Sequence, residues 1–193
     1  MSLELLLGTK NPDKAKEIQA IFGDVVTLLS GEDHPFKDVE EDGDTLEANA
    51  RKKAETISKE TGLAVLAEDT GLEVDFLKGA PGVYTARYAG EDATYQDNIN
   101  KLLDALKGES NRRAHFRCVC IVYFPDGKEL VSTGQLDGQI TTSPKGRGGF
   151  GYDPIFLPNG FSKTLSELPT QLKNQISHRS KALRAMKAQL DSL

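Results

Sequence analysis

The first part of the chain alternates between a short apolar run and a segment with helical spacing. Residues 3–7 are apolar with one exception, which predicts a strand, and a polar segment follows it. Ile18, Ile21 and Phe22 then recur at the spacing of one helix face, and Gly23 is suited to end that helix in a left-handed cap. The pattern therefore predicts a strand, a polar loop and a helix.

A second helix is predicted from about 45 to 61, after a segment that is crowded with carboxylates. Asp44 and Glu47 have the spacing of a capping box. The apolar stripe of this helix consists of Leu46, Ala50 and Ile57. Lys53 falls within the same stripe, which is an unusual position for a charged side chain because it faces inward.

A short strand and a third helix follow. Residues 63–67 are apolar and predict a strand that ends in a polar turn at 68–71. Thr94 and Asp97 again have the spacing of a capping box. The helix that they begin has a stripe made of Ile99, Leu102, Leu103 and Leu106.

Two β-rich segments flank the Pro-Asp-Gly sequence at residues 125–127, which predicts an antiparallel hairpin. The last segment predicts a helix that reaches about Leu190. Because helices alternate with strands and one hairpin is present, we expect an α/β protein with a mixed sheet. The length favours a single domain over residues 1–193.

Composition and charge exclude several classes of protein. The 193 residues include 24 Lys and Arg against 29 Asp and Glu, and the net charge of -5 argues against binding to a nucleic-acid polymer. No stretch approaches the roughly 18 apolar residues that span a membrane, and the N-terminus does not resemble a signal peptide. We therefore expect a soluble, cytoplasmic protein. Cys118 and Cys120 are interpreted as buried thiols on one strand face, with a metal or redox pair as the alternative.

Two polar segments that follow predicted strands contain candidates for binding phosphate and metal. Residues 8–14, "GTKNPDK", combine the N–H groups of a helix start with two lysines and suit an anion, although a solvated turn also explains them. At a strand end, Glu68 and Asp69 can converge on one Mg²⁺, and an ordinary acidic turn is the alternative. The acidic segment 40–44 could supply a further carboxylate, or be a solvated run with Asp44 as a helix cap.

The glycine-rich segment 146–154 has the G-x-G-x-x-G spacing of a dinucleotide site. It leads into an apolar strand rather than a helix, so it is not that fingerprint, and the chain contains no P-loop sequence. What remains is a pliable loop that presents Phe150 as a stacking surface and Asp153 as an acceptor, which suits a flat base. A structural turn with Phe150 in the core is the alternative.

The segment 173–183 places two basic residues near the last helix. In a continuous helix, Arg179 falls within the apolar stripe. Alternatively Ser177 is an N-cap, and His178 and Arg179 occupy the first turn beside free N–H groups. In both cases the basic pair faces a site, although a surface histidine and a salt-bridged arginine explain the two residues separately.

In this order and over residues 8–183, these segments resemble the inosine triphosphate pyrophosphatase family, whose members are also called XTP/dITP diphosphatases. The combination of "GGFGYDPIF" with "SHR" carries most of the resemblance. It implies hydrolysis of ITP, dITP and XTP to the nucleoside monophosphate and pyrophosphate with Mg²⁺. It also implies a long mixed β-sheet flanked by helices, two lobes around a central substrate cleft, and a homodimer.

The resemblance implies roles for individual residues. Asp69 matches the proton acceptor, and the metal carboxylates match Glu41, Glu68 and Asp69. The substrate-binding positions match Thr9, Lys10, Asn11, Lys14, Lys53, Thr70, Phe150, Gly151, Tyr152, Asp153, Lys173, Ser177, His178 and Arg179. Two departures are visible, because many members have Ala-Thr at Gly8-Thr9 and Asp-Asp-Ser at Glu68-Asp69-Thr70.

The implied mechanism is attack of water on the α-phosphorus with Asp69 as general base. An aspartate with an ordinary pKa near 4 is a weak base, so positioning and charge stabilisation should supply most of the rate. Two other functions are also compatible with the sequence. One is a pyrophosphatase of the related Maf type, which acts on pyrimidine or modified nucleotides. The other is a nucleotide-binding module without turnover.

Overall fold

The computed structural model describes residues 3–22 and 26–192, and within them it contains five α-helices and a seven-stranded sheet. The helices are α1 (Pro12–Phe22), α2 (Leu46–Thr61), α3 (Tyr95–Ala105), α4 (Thr170–Ile176) and α5 (His178–Leu190). The strands are β1 (Glu4–Leu7), β2 (Thr27–Leu29), β3 (Val65–Val74), β4 (Pro81–Gly82), β5 (Arg113–Tyr123), β6 (Glu129–Ile140) and β7 (Phe156–Pro158). The predicted α/β class is confirmed, whereas Gly23 lies outside the described residues.

The pairing of the strands makes the sheet mixed, as predicted. Its order is β2-β1-β3-β5-β6-β7, and β4 pairs with β3. Strand β1 runs parallel to β2 and β3, whereas β4 is antiparallel to β3 and β7 is antiparallel to β6. A tight turn joins β5 to β6, and in it the Phe124 N–H donates to the Lys128 carbonyl at 2.9 Å. The predicted hairpin is therefore confirmed.

The chain forms two compact units. The first unit comprises Met1–Asp69, Cys118–Gly134 and His178–Leu193, and the second unit comprises Thr70–Arg117 and Gln135–Ser177. Strands β3, β5 and β6 each contribute residues to both units. The expectation of a single domain stays a prediction.

The core of the first unit forms around β1, α1 and α5, whose apolar residues are buried. Among them are Leu5, Ile18, Phe22, Leu183 and Met186. Burial of each such side chain stabilises the fold by about 1.5–3 kcal/mol. Cys118 and Cys120 lie in the same core as free thiols, so the interpretation of these residues as buried thiols is confirmed.

Helix α2 belongs to the first unit and begins at Leu46, with Thr45 rather than Asp44 at the N-cap. The Thr45 hydroxyl accepts the Ala48 N–H at 3.1 Å, so the proposed cap at Asp44 is wrong by one residue. The predicted stripe is confirmed, since Leu46, Ala50 and Ile57 are all buried.

The second unit has its own core, which packs around α3. The capping box at Thr94 and Asp97 is present as predicted, and both of its hydrogen bonds form. Ile99, Leu102 and Leu106 are buried, whereas Leu103 is half-buried. They lie in one apolar cluster with Phe116, Phe156 and Tyr152. The rings of Phe116 and Phe156 lie 4.6 Å apart between centroids and are tilted by 48°. Across the described part of the chain, no helix combines the length and apolar character required to cross a membrane.

Candidate active site

Strand β3 runs through the segment that was expected to be a turn. It extends from Val65 to Val74, so the predicted end at residue 67 is wrong. The strand lies in the middle of the sheet, where pairing with β1, β4 and β5 satisfies its main chain, and its apolar pattern resumes at Leu72. Successive side chains of a strand point to opposite faces. Glu68 and Asp69 therefore do not converge on one cation by way of a turn.

Glu68 lies in a buried network of charges in the first unit and is only 2% exposed. Its carboxylate contacts the Lys14 ammonium at 2.6 Å and the Arg179 Nε at 3.5 Å. It also accepts a hydrogen bond from the Cys118 thiol at 3.2 Å. Burial alone would lower the pKa of Lys14, but the charge and hydrogen bond of Glu68, together with the charge of Asp69, hold that pKa above its usual value. The network thus keeps Lys14 protonated.

Arg179 is anchored in the same network. Ser177 has an extended backbone and separates α4 from α5, so the continuous helix is wrong and a new helix begins at His178. Both basic residues are buried in its first turn, and Arg179 forms an ion pair with Glu17 of α1. Burial opposes the charge of Arg179, yet Glu68 and Glu17 hold its pKa above the ordinary value. The interpretation of Arg179 as an ion-pair partner is confirmed, whereas contact with substrate stays a prediction.

Asp69 has a different environment, beside α2. It is 6% exposed, and its Oδ2 accepts a hydrogen bond from Asn49 Nδ2 at 3.2 Å. Burial, and next the charge of Glu41, raise its pKa to about 6. Burial therefore makes Asp69 a stronger base than the ordinary aspartate expected from the sequence.

Lys53 faces inward as its place in the helical stripe predicted. Its side chain is 14% exposed and forms an ion pair with Glu41. It also donates to the main-chain carbonyl of Glu68 at 3.3 Å. Lys53 and Lys14 both lower the pKa of Asp69 by their charge, so two cations act on this carboxylate.

The donor set at Asp69 is suitable for magnesium. Within the described residues, no group of three or more His, Cys, Asp or Glu side chains is arranged to hold a metal. Magnesium, however, binds through one or two carboxylates together with phosphate oxygens of a substrate. Burial and the charge of Glu41 raise the pKa of Asp69, and a cation would relieve the repulsion between the two carboxylates. The chemistry of Glu41 and Asp69 thus suits the metal, and the assignment of Glu41, Glu68 and Asp69 as its ligands stays a prediction.

The segment 8–14 has a structural role that its sequence left open. Asn11 Oδ1 accepts the N–H groups of Asp13 at 2.9 Å and Lys14 at 3.3 Å, so it caps α1. The Thr9 hydroxyl accepts the Asn11 N–H at 3.1 Å. Lys10 is half-exposed and pairs with Asp38 at 2.8 Å rather than with Glu68 or Asp69. Lys14 of this segment contacts the buried carboxylate of Glu68.

A second cluster of predicted site residues lies in the second unit. Lys173 and Asp153 are 7% and 5% exposed and form an ion pair at 2.7 Å. The Lys173 ammonium lies 4.7 Å from the centroid of the Phe150 ring, and the Phe150 N–H donates to Asp153 at 3.0 Å. Phe150 is half-buried and its ring lies 6.1 Å from that of Tyr95, so it is not a core residue. The cluster thus holds an aromatic face beside a fixed cation.

The structure also shows the local environments of four other predicted substrate-binding residues. Tyr152 lies in the core of the second unit, and its hydroxyl donates to the Thr85 carbonyl at 2.8 Å. Burial raises its pKa. Thr70 follows Asp69 within β3 and is half-buried, Gly151 has a positive φ of 61°, and Ser177 is buried. Their contacts with a substrate stay predictions.

Replacement of Gly149 with Ala is expected to disrupt the Phe150 loop. The position has a φ of +71°, and an added Cβ would overlap with Asp153 Oδ2. The backbone strain costs about 1 kcal/mol, and displacement of Asp153 costs about 1–3 kcal/mol more. Chemical denaturation measures the free energy of unfolding. Gly160 is the matched control because it has a φ of +82° but no atom within 4 Å of its Cβ. Equal losses in the two alanine variants would contradict the close contact at Asp153.

Sequence reasoning missed three residues of these clusters. Asn49 contacts Asp69, Glu17 pairs with Arg179, and Tyr95 lies beside Phe150. Asn49 could have been found, because it lies four residues before Lys53 on the inward face of α2. Glu17 and Tyr95 carry no such local signal.

Comparison with known proteins gives the family. The model of the Ham1 family matches residues 5–189. The chain is 48% identical over 190 residues to the dITP/XTP pyrophosphatase of Geobacter sulfurreducens, covering 96% of each chain. It is 45% identical over 185 residues to that of Flavobacterium johnsoniae, covering 95% of this chain and 96% of the relative.

A solved structure agrees over the whole fold. The HAM1 protein from Coxiella burnetii is 38% identical, with a TM-score of 0.92 over 99% of this chain and 100% of that chain. The mixed-sheet α/β architecture is thus shared with a solved structure of known fold. The chain belongs to the Ham1 family.

Proposed function

We propose that this chain hydrolyses non-standard purine nucleoside triphosphates, namely ITP, dITP and XTP, to the monophosphate and pyrophosphate. The observation that carries the proposal is the similarity of 45–48% identity, over nearly the full length, to two relatives named dITP/XTP pyrophosphatase. The buried carboxylate and lysine cluster of the first unit supports it, because it contains a base and fixed positive charges.

In the proposed mechanism, Asp69 accepts a proton from the water that attacks the α-phosphorus. Its raised pKa, about 6, makes it a better proton acceptor than an exposed aspartate. Lys14 and Lys53 stabilise negative charge that develops on the pyrophosphate. Glu41 and Asp69 would hold Mg²⁺, which when bound neutralises phosphate charge and makes water more acidic.

The cluster of the second unit is proposed to bind the base. Phe150 supplies a stacking face, and Lys173 supplies donors beside it for the 6-oxo group of hypoxanthine or xanthine. Adenine presents an amino donor at that position, so ATP would leave the donor of the protein unpaired. Mismatches of this kind cost about 10⁴-fold in kcat/KM.

The family resemblance supports three further expectations. We propose a homodimer that acts in the cytoplasm on free nucleotides. The net charge of -5 supports a small substrate rather than a nucleic-acid polymer, because a local group of lysines is sufficient for one triphosphate.

The proposal is tested by incubating the purified protein with ITP, XTP, dTTP, GTP and ATP, with and without Mg²⁺. We expect pyrophosphate as the first product from ITP and XTP, and we expect it only with the metal. Orthophosphate as the first product would exclude attack on the α-phosphorus. Preferred turnover of dTTP would favour a Maf-type enzyme, and binding without any product would favour a module that has no catalytic activity.

A further inference from the structure

Asn49 contacts two parts of the first unit that the proposed mechanism requires to act together. It lies on α2, one turn before Lys53, and is 1% exposed. Its Nδ2 donates to Asp69 Oδ2 at 3.2 Å, and its Oδ1 accepts the Gly43 N–H at 2.8 Å. One buried side chain thus connects the carboxylate on β3 with the main chain of the acidic segment 40–44.

The orientation of the Asn49 amide is fixed by these two partners. The Gly43 N–H can only donate, so it requires the amide oxygen, and an ionised carboxylate can only accept, so it requires the amide nitrogen. A rotation of the amide by 180° would place donor against donor and acceptor against acceptor. Since the side chain is buried, water does not compensate for such a loss.

The acidic segment passes so close to Asn49 that position 43 has no room for a side chain. A Cβ at Gly43 would lie 2.7 Å from Asn49 Oδ1 and 3.0 Å from the Ala48 Cβ. A larger residue would therefore push the segment away from α2. Glu41 lies two residues earlier in the same segment and forms an ion pair with Lys53, the next residue along this face of the helix.

We propose that Asn49 is a positioning residue that holds Asp69 and the segment 40–44 in one arrangement, so that Asp69 and Glu41 act on the same phosphate groups. The inference rests on the proposed pyrophosphatase function. Asn49 itself does not touch the substrate in this proposal. It acts through the two hydrogen bonds of its amide.

Two variants separate the two hydrogen bonds. Asn49→Asp retains an acceptor for Gly43 but lacks the donor to Asp69, whereas Asn49→Ala lacks both groups. We expect kcat for ITP to fall by about 10–100-fold in both variants, with KM within about threefold of wild type. Hydrogen–deuterium exchange of residues 40–45 should increase in Asn49→Ala and remain near wild type in Asn49→Asp.

Asn98 is the matched control. It is 2% exposed and lies in the second unit, where its Oδ1 accepts the Ala89 N–H at 2.7 Å and its Nδ2 donates to the Ala86 carbonyl at 2.9 Å. Asn98→Asp and Asn98→Ala remove hydrogen bonds of the same kind. We expect them to lower Tm about as much as the Asn49 variants do, with kcat within about twofold of wild type.

The outcomes distinguish this inference from the proposed function. If wild type releases pyrophosphate from ITP and Asn49→Asp retains its kcat, the inference is overturned and the function stands. If exchange of residues 40–45 is unchanged in Asn49→Ala, the link to the acidic segment is likewise overturned. If wild type hydrolyses none of the nucleotides, the proposed function and the catalytic role of Asn49 are both rejected. The exchange data then still test whether Asn49 holds the segment 40–44 in place.

Discussion

Replacement of Asp69 with Asn is expected to lower kcat for ITP by about 10²–10⁴-fold, which is the range that a positioned proton acceptor contributes. An amide of the same shape cannot take the proton from the attacking water. The free energy of unfolding should not fall at neutral pH. The native carboxylate is buried beside Glu41, which disfavours its charge, so the neutral amide removes an unfavourable interaction.

Pyrophosphate release and thermal unfolding measure the two parts of this prediction. Asp104→Asn provides the control, because Asp104 is an exposed acid on α3 in the second unit. The control should match wild type in both measurements. Turnover near the wild-type value in Asp69→Asn would reject Asp69 as the proton acceptor, whatever the stability of the variant.

The largest loss of stability is expected from Arg179→Met. The guanidinium is 3% exposed and contacts the carboxylates of Glu17 and Glu68. Removal of one member of a buried ion pair leaves charge without compensation and costs about 3–5 kcal/mol. That is a large part of the 5–15 kcal/mol typical of a folded domain. Urea denaturation measures the change, and Glu17→Gln, which removes one of the two partners, should cost less.

Arg113→Met is the matched control for the buried pair. Arg113 pairs with Asp75 at 3.3 Å, but its side chain is 79% exposed. An exposed pair contributes about 0–1 kcal/mol because water screens it. If Arg179→Met costs no more than this control, the network around Glu68 does not stabilise the fold.

Local periodicity was sufficient to predict the helices α1, α2 and α3 and one site residue. Lys53 was identified because a charged residue in an apolar stripe must face inward, and its pair with Glu41 confirms this orientation. The hairpin and the capping box at Thr94 were also correct, because turns and caps depend on neighbouring residues. In each case the determining residues lie within a few positions of one another.

Tertiary contacts account for what the sequence did not predict. Polar residues at 68–71 indicate a turn, but neighbouring strands pair with this segment and keep it extended as part of β3. The pair of Arg179 with Glu17 spans 162 positions, so no window of sequence reveals it. The position of Asn49 on the inward face of α2 could be read from the helical spacing, but its partners Asp69 and Gly43 could not.

The extended conformation of β3 makes its length a constraint on the protein. Glu68 contacts Lys14 and Arg179, whereas the next residue, Asp69, accepts a hydrogen bond from Asn49. Insertion or deletion of one residue in the preceding part of the strand would exchange the two faces. Each carboxylate would then meet the partners of the other. A substitution elsewhere in this strand can therefore leave both carboxylates with their partners, whereas an insertion or deletion of one residue before them cannot.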